Sequence, residues 1–302
     1  MQFFPYLCSV KQQINYIISQ LRGYYPDNEL RELAYWIVEE TTGITRTEIL
    51  IGCKSTKNIP NLEIILQKLR AHVPVQYIFG HTEWMGLDLR VTSATLIPRP
   101  ETAELVEWIV QSVAPDVYAR VLDIGTGSGC IAIALKQRAP QWQVTGIDIS
   151  SEALAVARDN AQRNGVEVEW KQADVLSNSA SDLILTDGPT SNSASDLIHI
   201  IVSNPPYICE KEKKDMDARV LDYEPHSALF VPDNDPLLFY RRIASLPLAS
   251  SLSPYYIFFE INEAYGNEVC EMMHEMGCTD IQLKYDMYGK PRMVFGAIAR
   301  KS

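Results

Sequence analysis

Val121-Leu122-Asp123-Ile124-Gly125-Thr126-Gly127-Ser128-Gly129-Cys130-Ile131-Ala132-Ile133-Ala134-Leu135 runs from an apolar strand, through three glycines at alternate positions, into a helix-forming stretch. Glycine permits a tight turn there and lets a ligand approach the backbone, and the start of a helix offers free N–H groups. Turns are rich in glycine, so this spacing alone is weak, and it departs from the G-x-G-x-x-G of dinucleotide sites. The strands downstream give it meaning. Gln143-Val144-Thr145-Gly146-Ile147-Asp148-Ile149 reads as a second strand, with an acid about twenty residues past the glycines, where a carboxylate can hold a ribose diol. Val166 to Gln172 reads as a third strand, leading to Ala173-Asp174, and Leu197 to Val202 as a fourth. Strands alternating with helices in this order predict a mostly parallel sheet.

The fourth strand runs into Asn204-Pro205-Pro206-Tyr207. Two prolines have no N–H to donate and a fixed φ, and each pushes the residue before it toward extended conformations. The product is a stiff turn that presents the Asn204 amide, free carbonyls and an aromatic ring at a strand's C-terminal edge. Such groups suit a planar –NH2 or amide: carbonyls accept its hydrogens and a ring lies against its face. Pro-Pro alone reads as an ordinary turn, but after a glycine-rich nucleotide loop the functional reading prevails.

The chain of 302 residues is long enough for two domains and a sizeable core. Its net charge of −11, from 27 basic and 38 acidic residues, disfavours duplex DNA, whose phosphates call for clustered Lys and Arg. Lys211-Glu212-Lys213-Lys214, the longest basic cluster, reads as a solvated loop. Six cysteines (Cys8, Cys53, Cys130, Cys209, Cys270, Cys278) without a Cys-x-x-Cys pair point to buried or free thiols in a reducing cytoplasm. Five histidines show no metal spacing, so no metal site is expected. Met1 to Val10 lacks the marks of a signal peptide, and no later segment approaches a membrane span.

From Tyr6 to about His72 the apolar spacing is helical. Leu7, Val10, Ile14, Ile17 and Leu21 share one face, as do Leu30, Leu33, Ile37 and Val38. Asp27 is expected to cap the second helix, Gly43 to follow its end, and Thr45 with Glu48 to form a capping box for a third. Leu62, Ile65, Leu66 and Leu69 mark a fourth. Val75 to Ile97 suggests a β-hairpin bridge. Later strands are expected at Tyr255–Asn262, Ile281–Asp286 and Arg292–Ala299, the last two joined at Tyr288-Gly289-Lys290. Ser177 to Ile184 recurs verbatim as Ser191 to Ile198, a fourteen-residue tandem duplication. Only the second copy leads into the Asn-Pro-Pro-Tyr turn, so the first is expected to bulge out as a polar loop.

These motifs together resemble the S-adenosylmethionine-dependent methyltransferases with a Rossmann-like sheet. Asn-Pro-Pro-Tyr narrows the resemblance to enzymes that methylate an amide or exocyclic amino nitrogen: nucleic-acid adenine or cytosine methyltransferases, and the peptide-chain release factor glutamine N5-methyltransferases. The second family is favoured by Pro74-Val75-Gln76-Tyr77-Ile78-Phe79-Gly80, Leu96-Ile97-Pro98-Arg99-Pro100-Glu101-Thr102 and Tyr223-Glu224-Pro225-His226-Ser227-Ala228-Leu229-Phe230, and the likeness runs from about Leu30 to the C-terminus. It implies an α/β fold: a class I methyltransferase sheet, mostly parallel with an antiparallel last strand, behind a small all-helical domain. The domains implied are 1–72 (helical, contacting the protein substrate), 73–97 (β-hairpin linker) and 98–302 (cofactor-binding and catalytic).

The resemblance further implies methyl transfer to the glutamine of the release factors' Gly-Gly-Gln tripeptide, leaving S-adenosylhomocysteine. Asn204 and Pro205 would grip the substrate amide, Tyr207 would pack on its plane, and Pro206 and Arg99 would complete the substrate side. Gly125, Thr126, Gly127, Ser128 and Gly129 would approach the methionine part of the cofactor, with Asn204 beside it. Asp148 would take the ribose hydroxyls, and Asp174 or Val175 would sit by the adenine. Asp123 stays open between a cofactor ligand and a structural partner of the glycine loop. The chain is expected to be a cytoplasmic monomer, with release factors as partners and no direct nucleic-acid contact. The alternative is an N6-adenine methyltransferase acting on DNA or RNA; a scaffold that has lost catalysis is disfavoured by the intact motifs. Two departures from the family pattern stand out. Ala103 replaces a frequent acid, for which Glu101 or Glu104 would have to compensate, and Asn262 stands where glycine is common.

Overall fold

The computed structural model describes residues 9–52, 57–177, 198–249 and 254–298. The chain divides into two compact units, one of Met1–Gly80 with Ala218–Tyr223, the other of His81–Asp217 with Glu224–Ser302.

In the first unit the helices are α1 (Val10–Leu21), α2 (Asp27–Thr42), α3 (Arg46–Leu50), α4 (Leu62–Arg70) and α5 (Val75–Phe79). The apolar positions spaced for one face are the ones buried: Ile14, Ile17 and Leu21, then Leu30, Leu33, Ile37 and Val38, then Ile65, Leu66 and Leu69, in one cluster. The Thr45–Glu48 capping box forms, and Gly43 closes α2 at φ 70°. Asp27 does not cap α2: Pro26 holds that position, and Asp27 is the first helical residue, where its charge still favours the helix N-terminus. Val75, expected in a hairpin, starts α5 instead, and Val75, Ile78 and Phe79 pack into this helical core. The unit also holds Ala218–Tyr223 through Arg219 to Glu29 (2.8 Å) and the Tyr223 hydroxyl to the Ala71 carbonyl (2.5 Å).

The second unit opens with the hairpin β1 (His81–Trp84) and β2 (Leu87–Arg90). It is fastened to α8 (Ser151–Arg163) by Asn160, whose carboxamide accepts from Arg90 N–H (2.6 Å) and donates to the Arg90 carbonyl (3.0 Å). A seven-stranded sheet follows in the order β10-β11-β9-β6-β3-β4-β5. Its strands are β3 (Ala119–Ile124), β4 (Gln143–Asp148), β5 (Glu169–Gln172), β6 (Ile198–Ser203), β9 (Tyr255–Glu260), β10 (Thr279–Tyr285) and β11 (Pro291–Ile298); the short β7 (Ile208–Cys209) and β8 (Phe230–Val231) pair apart from it. Neighbours from β5 to β9 are parallel, and β11 runs antiparallel to both β9 and β10. The central strands are apolar on both faces because helices cover both. Ile200, Val202 and Phe258 face α6 (Pro100–Ser112) and α7 (Cys130–Arg138), whereas Ile201, Ile257 and Phe259 face the helices Leu238–Ser245 and Gly266–Glu275. The first copy of the duplication after Ser177 and the second up to Leu197, residues 178–197, lie outside the described residues, and with them the expected bulging loop.

The register places Ile124 beside Ile147 and Ser203, and Ser203 beside Phe259. The C-terminal ends of β3, β4, β6 and β9 therefore form one edge. There the chain order reverses, with β4 on one side of β3 and β6 on the other, the position at which open α/β sheets bind ligands.

Candidate active site

At that edge lies a cavity of about 390 Å³, near the lower end of the roughly 300–1,000 Å³ of small-molecule sites. Its walls include Gly125–Ser128, Asp148–Ser150, Asp174–Leu176, Ser203–Pro206, Arg99 and Thr102. Sequence reading thus places Gly125, Thr126, Gly127, Ser128, Asp148, Asp174, Val175, Asn204, Pro205, Pro206 and Arg99 on one cavity. Gly129 and Tyr207 stand behind the wall.

The glycine loop is held open by its own backbone. Gly125 and Thr126 N–H donate to the Ile147 carbonyl (3.0 and 2.9 Å), Gly129 N–H to Thr126 (2.8 Å), and Gly127 N–H to Asp148 Oδ2 (2.8 Å). Gly127 has φ 56° and open space where a Cβ would stand, so a side chain there would be strained and would project from a wall of the cavity. Gly129 serves packing instead: a Cβ on it would come within 2.8 Å of Trp170. Of the helix N–H groups expected from the sequence, that of Ala132 is taken by Asp123 Oδ2 (3.2 Å), which also accepts the Thr126 hydroxyl (2.5 Å). Asp123 is fully buried, does not reach the cavity, and is the structural partner of the loop. Burial pushes its carboxyl up to about 7, against the pull of Thr126 and Ala132.

With the amides of Gly125, Thr126, Gly127 and Gly129 taken within the chain, the glycine loop offers a phosphate little to bind. It fits a phosphate-free nucleoside cofactor such as S-adenosylmethionine, as do the other walls. Each oxygen of Asp148 accepts one backbone N–H, from Gly127 or from Ser150 (2.9 Å), which leaves lone pairs for a ribose diol. Burial raises its pKa, opposed by those hydrogen bonds. Ile149 and Leu176, 58% and 40% exposed, offer apolar surface for a planar ring, and sequence reading missed both. It missed Arg242 as well, which donates to the carbonyls of Val175 (2.8 Å) and Ser177 (2.6 Å) and so fixes the Asp174–Ser177 turn. The Cys130 thiol on the wall is pushed up to about 12 by burial and stays protonated.

The Asn-Pro-Pro-Tyr turn lies opposite. Ser203 ties its base to β3 through the Ile124 carbonyl (2.6 Å), and Asn262 Nδ2 holds the Tyr207 carbonyl (3.1 Å). Asn262, the second departure from the family pattern, thus pins this turn. Among the described residues the carbonyls of Asn204 and Pro205 accept no hydrogen bond. The Asn204 carboxamide donates to Thr102 Oγ1 (3.4 Å), and Thr102 donates to Glu260 Oε2 (2.6 Å). Tyr207 does not line the cavity. A buried phenol needs a partner, and its hydroxyl turns to Glu260 Oε1 (3.4 Å); Phe230 and Phe239 supply the aromatic wall. Glu260 is fully buried and pushed up to about 7, chiefly by burial. Arg99 pairs with the buried Glu224 (2.6 Å), joining two of the sequence signatures. Ala103 and Glu104 lie away from this cavity, on a separate surface hollow with Glu107 and Arg138; Thr102 is the α6 residue that faces inward.

Residues 105–222 match the family described as methyltransferase small domain, and residues 12–80 match the PrmC N-terminal domain. A release factor glutamine methyltransferase of Bacteroides thetaiotaomicron is 42% identical, over 92% of this chain and 96% of its own. That of Flavobacterium psychrophilum is 38% identical, over 94% and 98%. In fold, the hMettl16 catalytic domain crystallised with a MAT2A 3′UTR hairpin is similar at TM-score 0.54 and 16% identity, over 96% of this chain and 92% of that one. An identity that low speaks for a shared class I methyltransferase architecture and nothing finer. With two such relatives matching nearly end to end, and both segments of the family present in order, the chain belongs to the release factor glutamine methyltransferases.

Proposed function

We propose that this protein methylates the side-chain amide nitrogen (N5) of the glutamine in the Gly-Gly-Gln tripeptide of peptide-chain release factors, using S-adenosylmethionine. The observation that carries the reading is a rigid turn on the cavity wall with two acceptors, the Asn204 carboxamide oxygen and the Pro205 carbonyl, that take no hydrogen bond among the described residues. An amide nitrogen is a poor nucleophile because its lone pair is delocalised into the carbonyl. Acceptors fixed on both of its hydrogens orient that lone pair and stabilise the positive charge that grows as the new bond forms. The cofactor supplies a sulfonium methyl: the S–CH3 bond breaks with its electrons kept by sulfur as N–CH3 forms, and one amide proton leaves to water. No strong base is required of the chain, because the nitrogen-bound proton becomes acidic on methylation. Rigidity is the chain's main contribution, through prolines without N–H groups, Ser203 below and Asn262 behind.

Asp148 would hold the ribose, and Ile149, Val175 and Leu176 the adenine. The helical unit would recognise the protein substrate. With a net charge of −11, nothing in the composition favours a nucleic-acid backbone over a protein. Labelled cofactor offered with a release factor and, separately, with duplex DNA tests the reading: label is expected in the protein alone, and label in DNA alone would overturn it.

A further inference from the structure

Turning a carboxamide by half a turn exchanges its C=O and its NH2 with almost no change of shape. For Asn204 the two orientations have opposite chemical consequences. An oxygen toward the cavity accepts a hydrogen of the substrate amide, whereas an NH2 there would oppose one donor with another. We propose that Thr102 and Glu260 act as an orientation relay that holds the Asn204 carboxamide with its oxygen toward the substrate. The inference rests on the amide-methylating function proposed for this site and assigns positioning roles to two of its residues.

The polarity of the chain of bonds supports it. A threonine hydroxyl has one hydrogen, and that of Thr102 goes to Glu260 Oε2 at 2.6 Å. Toward Asn204, Thr102 Oγ1 is then an acceptor only, so Asn204 must show it the NH2, as it does at 3.4 Å. An ionised carboxylate cannot donate, so Glu260 sets the direction of the whole relay. Its other oxygen accepts the Tyr207 hydroxyl (3.4 Å), which ties the last residue of the same turn to the same anchor. Thr102 and Glu260 are 2% and 1% exposed, so water does not compete for these bonds. The relay joins α6, the end of β9 and the catalytic turn.

The same geometry makes the relay sensitive to pH. Burial raises the Glu260 carboxyl to about 7; Thr102, Tyr207 and Arg292 of β11 pull it down, and Glu101 of α6 pushes it up. Cys130 of α7 and Tyr240 of the helix Leu238–Ser245 also feel its charge. Protonated, Glu260 can donate to Thr102, whose own hydrogen is then free to turn toward Asn204 and favour the flipped amide.

The test uses the full chain, a release factor and labelled cofactor, with Thr102→Val and Thr102→Ser compared against the wild type. Thr102→Val should lower kcat about tenfold or more, as for a lost positioning hydrogen bond, with cofactor affinity within about twofold. Thr102→Ser, which keeps the hydroxyl, should recover kcat to within about threefold. The wild-type kcat should climb through about pH 7 as Glu260 ionises, and Thr102→Val should lose that climb because Asn204 is uncoupled from Glu260. Unchanged kcat in Thr102→Val, equal losses in Val and Ser, or a climb that survives in Val would overturn the relay. Should Thr102→Val fail to bind cofactor, the wild-type profile decides, and a flat one from about pH 6 to 8.5 rejects the proposal. A wild type that labels no release factor would instead refute the amide-methylating function itself.

Discussion

At the scale of single residues, the site divides into groups that face the cavity and groups that hold them. Asn204 belongs to the first kind. Replacing it with Ala should cut turnover about a hundredfold, the scale of losing one positioned polar group at a transition state, while cofactor affinity barely changes. A near-normal turnover would remove Asn204 from the chemistry. Asp148→Ala should weaken cofactor binding by about 1.5–3 kcal/mol in calorimetry, the worth of a charge-assisted, partly buried hydrogen-bond pair. Asp123 and Glu260 belong to the second kind, and both titrate near 7 for want of solvent. Between the ordinary carboxyl range and about pH 7 the folded chain keeps protons that the unfolded chain has released. Stability should therefore fall as pH rises through that window, seen as a melting temperature several degrees lower at about pH 8 than at about pH 5. Asp123→Asn and Glu260→Gln should each flatten the curve; curves unchanged in both would show that neither carboxyl is raised. Asp148 and Asn204 could be read from sequence because each stands at the C-terminal end of its own strand, Asp148 as the last residue of β4 and Asn204 as the first after β6. Glu260 could not: its partner Thr102 lies 158 residues away, and nothing local marks either as part of a relay.

At the scale of elements, the loops are fixed by neighbours distant in sequence. Asn160 of α8 serves the backbone of Arg90 on both sides and also donates to the Ser128 carbonyl (2.9 Å), so one side chain links hairpin, helix and glycine loop. Asn160→Ala leaves one buried and two partly buried backbone groups without partners and should cost roughly 2–3 kcal/mol of stability, measurable by denaturant unfolding. A loss well under 1 kcal/mol would mean that water replaces those bonds. The duplication ends in the same Ser-Asn-Ser-Ala-Ser-Asp-Leu-Ile that begins it, so deleting Ser177 to Thr190 again leaves a serine after Leu176 to offer its carbonyl to Arg242. Activity and melting temperature should stay close to those of the full chain, since each doubling of loop length changes closure by only about 0.6 kcal/mol. Much weaker cofactor binding after the deletion would instead assign the first copy to the site. The strand pattern and the two glycine-rich and proline-rich turns were legible because period and punctuation are local. The hairpin expected within Val75 to Ile97 forms from His81 to Arg90, but Val75–Phe79 was misread: five residues ahead of a glycine carry too little periodicity to separate a helical turn from a strand.

At the scale of the whole molecule, the chain builds a helical unit and a catalytic unit with separate cores. The boundary was expected after residue 72, whereas the helical unit runs to Gly80 because α5 feeds its apolar side chains into that core. The return of Ala218–Tyr223 to the first unit rests on pairings 190 and 152 residues apart in sequence, beyond any local pattern. The most direct measurement is mass spectrometry of a release factor incubated with the full chain and S-adenosylmethionine. We expect a single added methyl on the glutamine of its Gly-Gly-Gln tripeptide, absent when that glutamine is replaced and when Asn204 is Ala. A methyl placed on any other residue, or persisting with Asn204→Ala, would contradict the assignment of this cavity and this turn as the site of glutamine methylation.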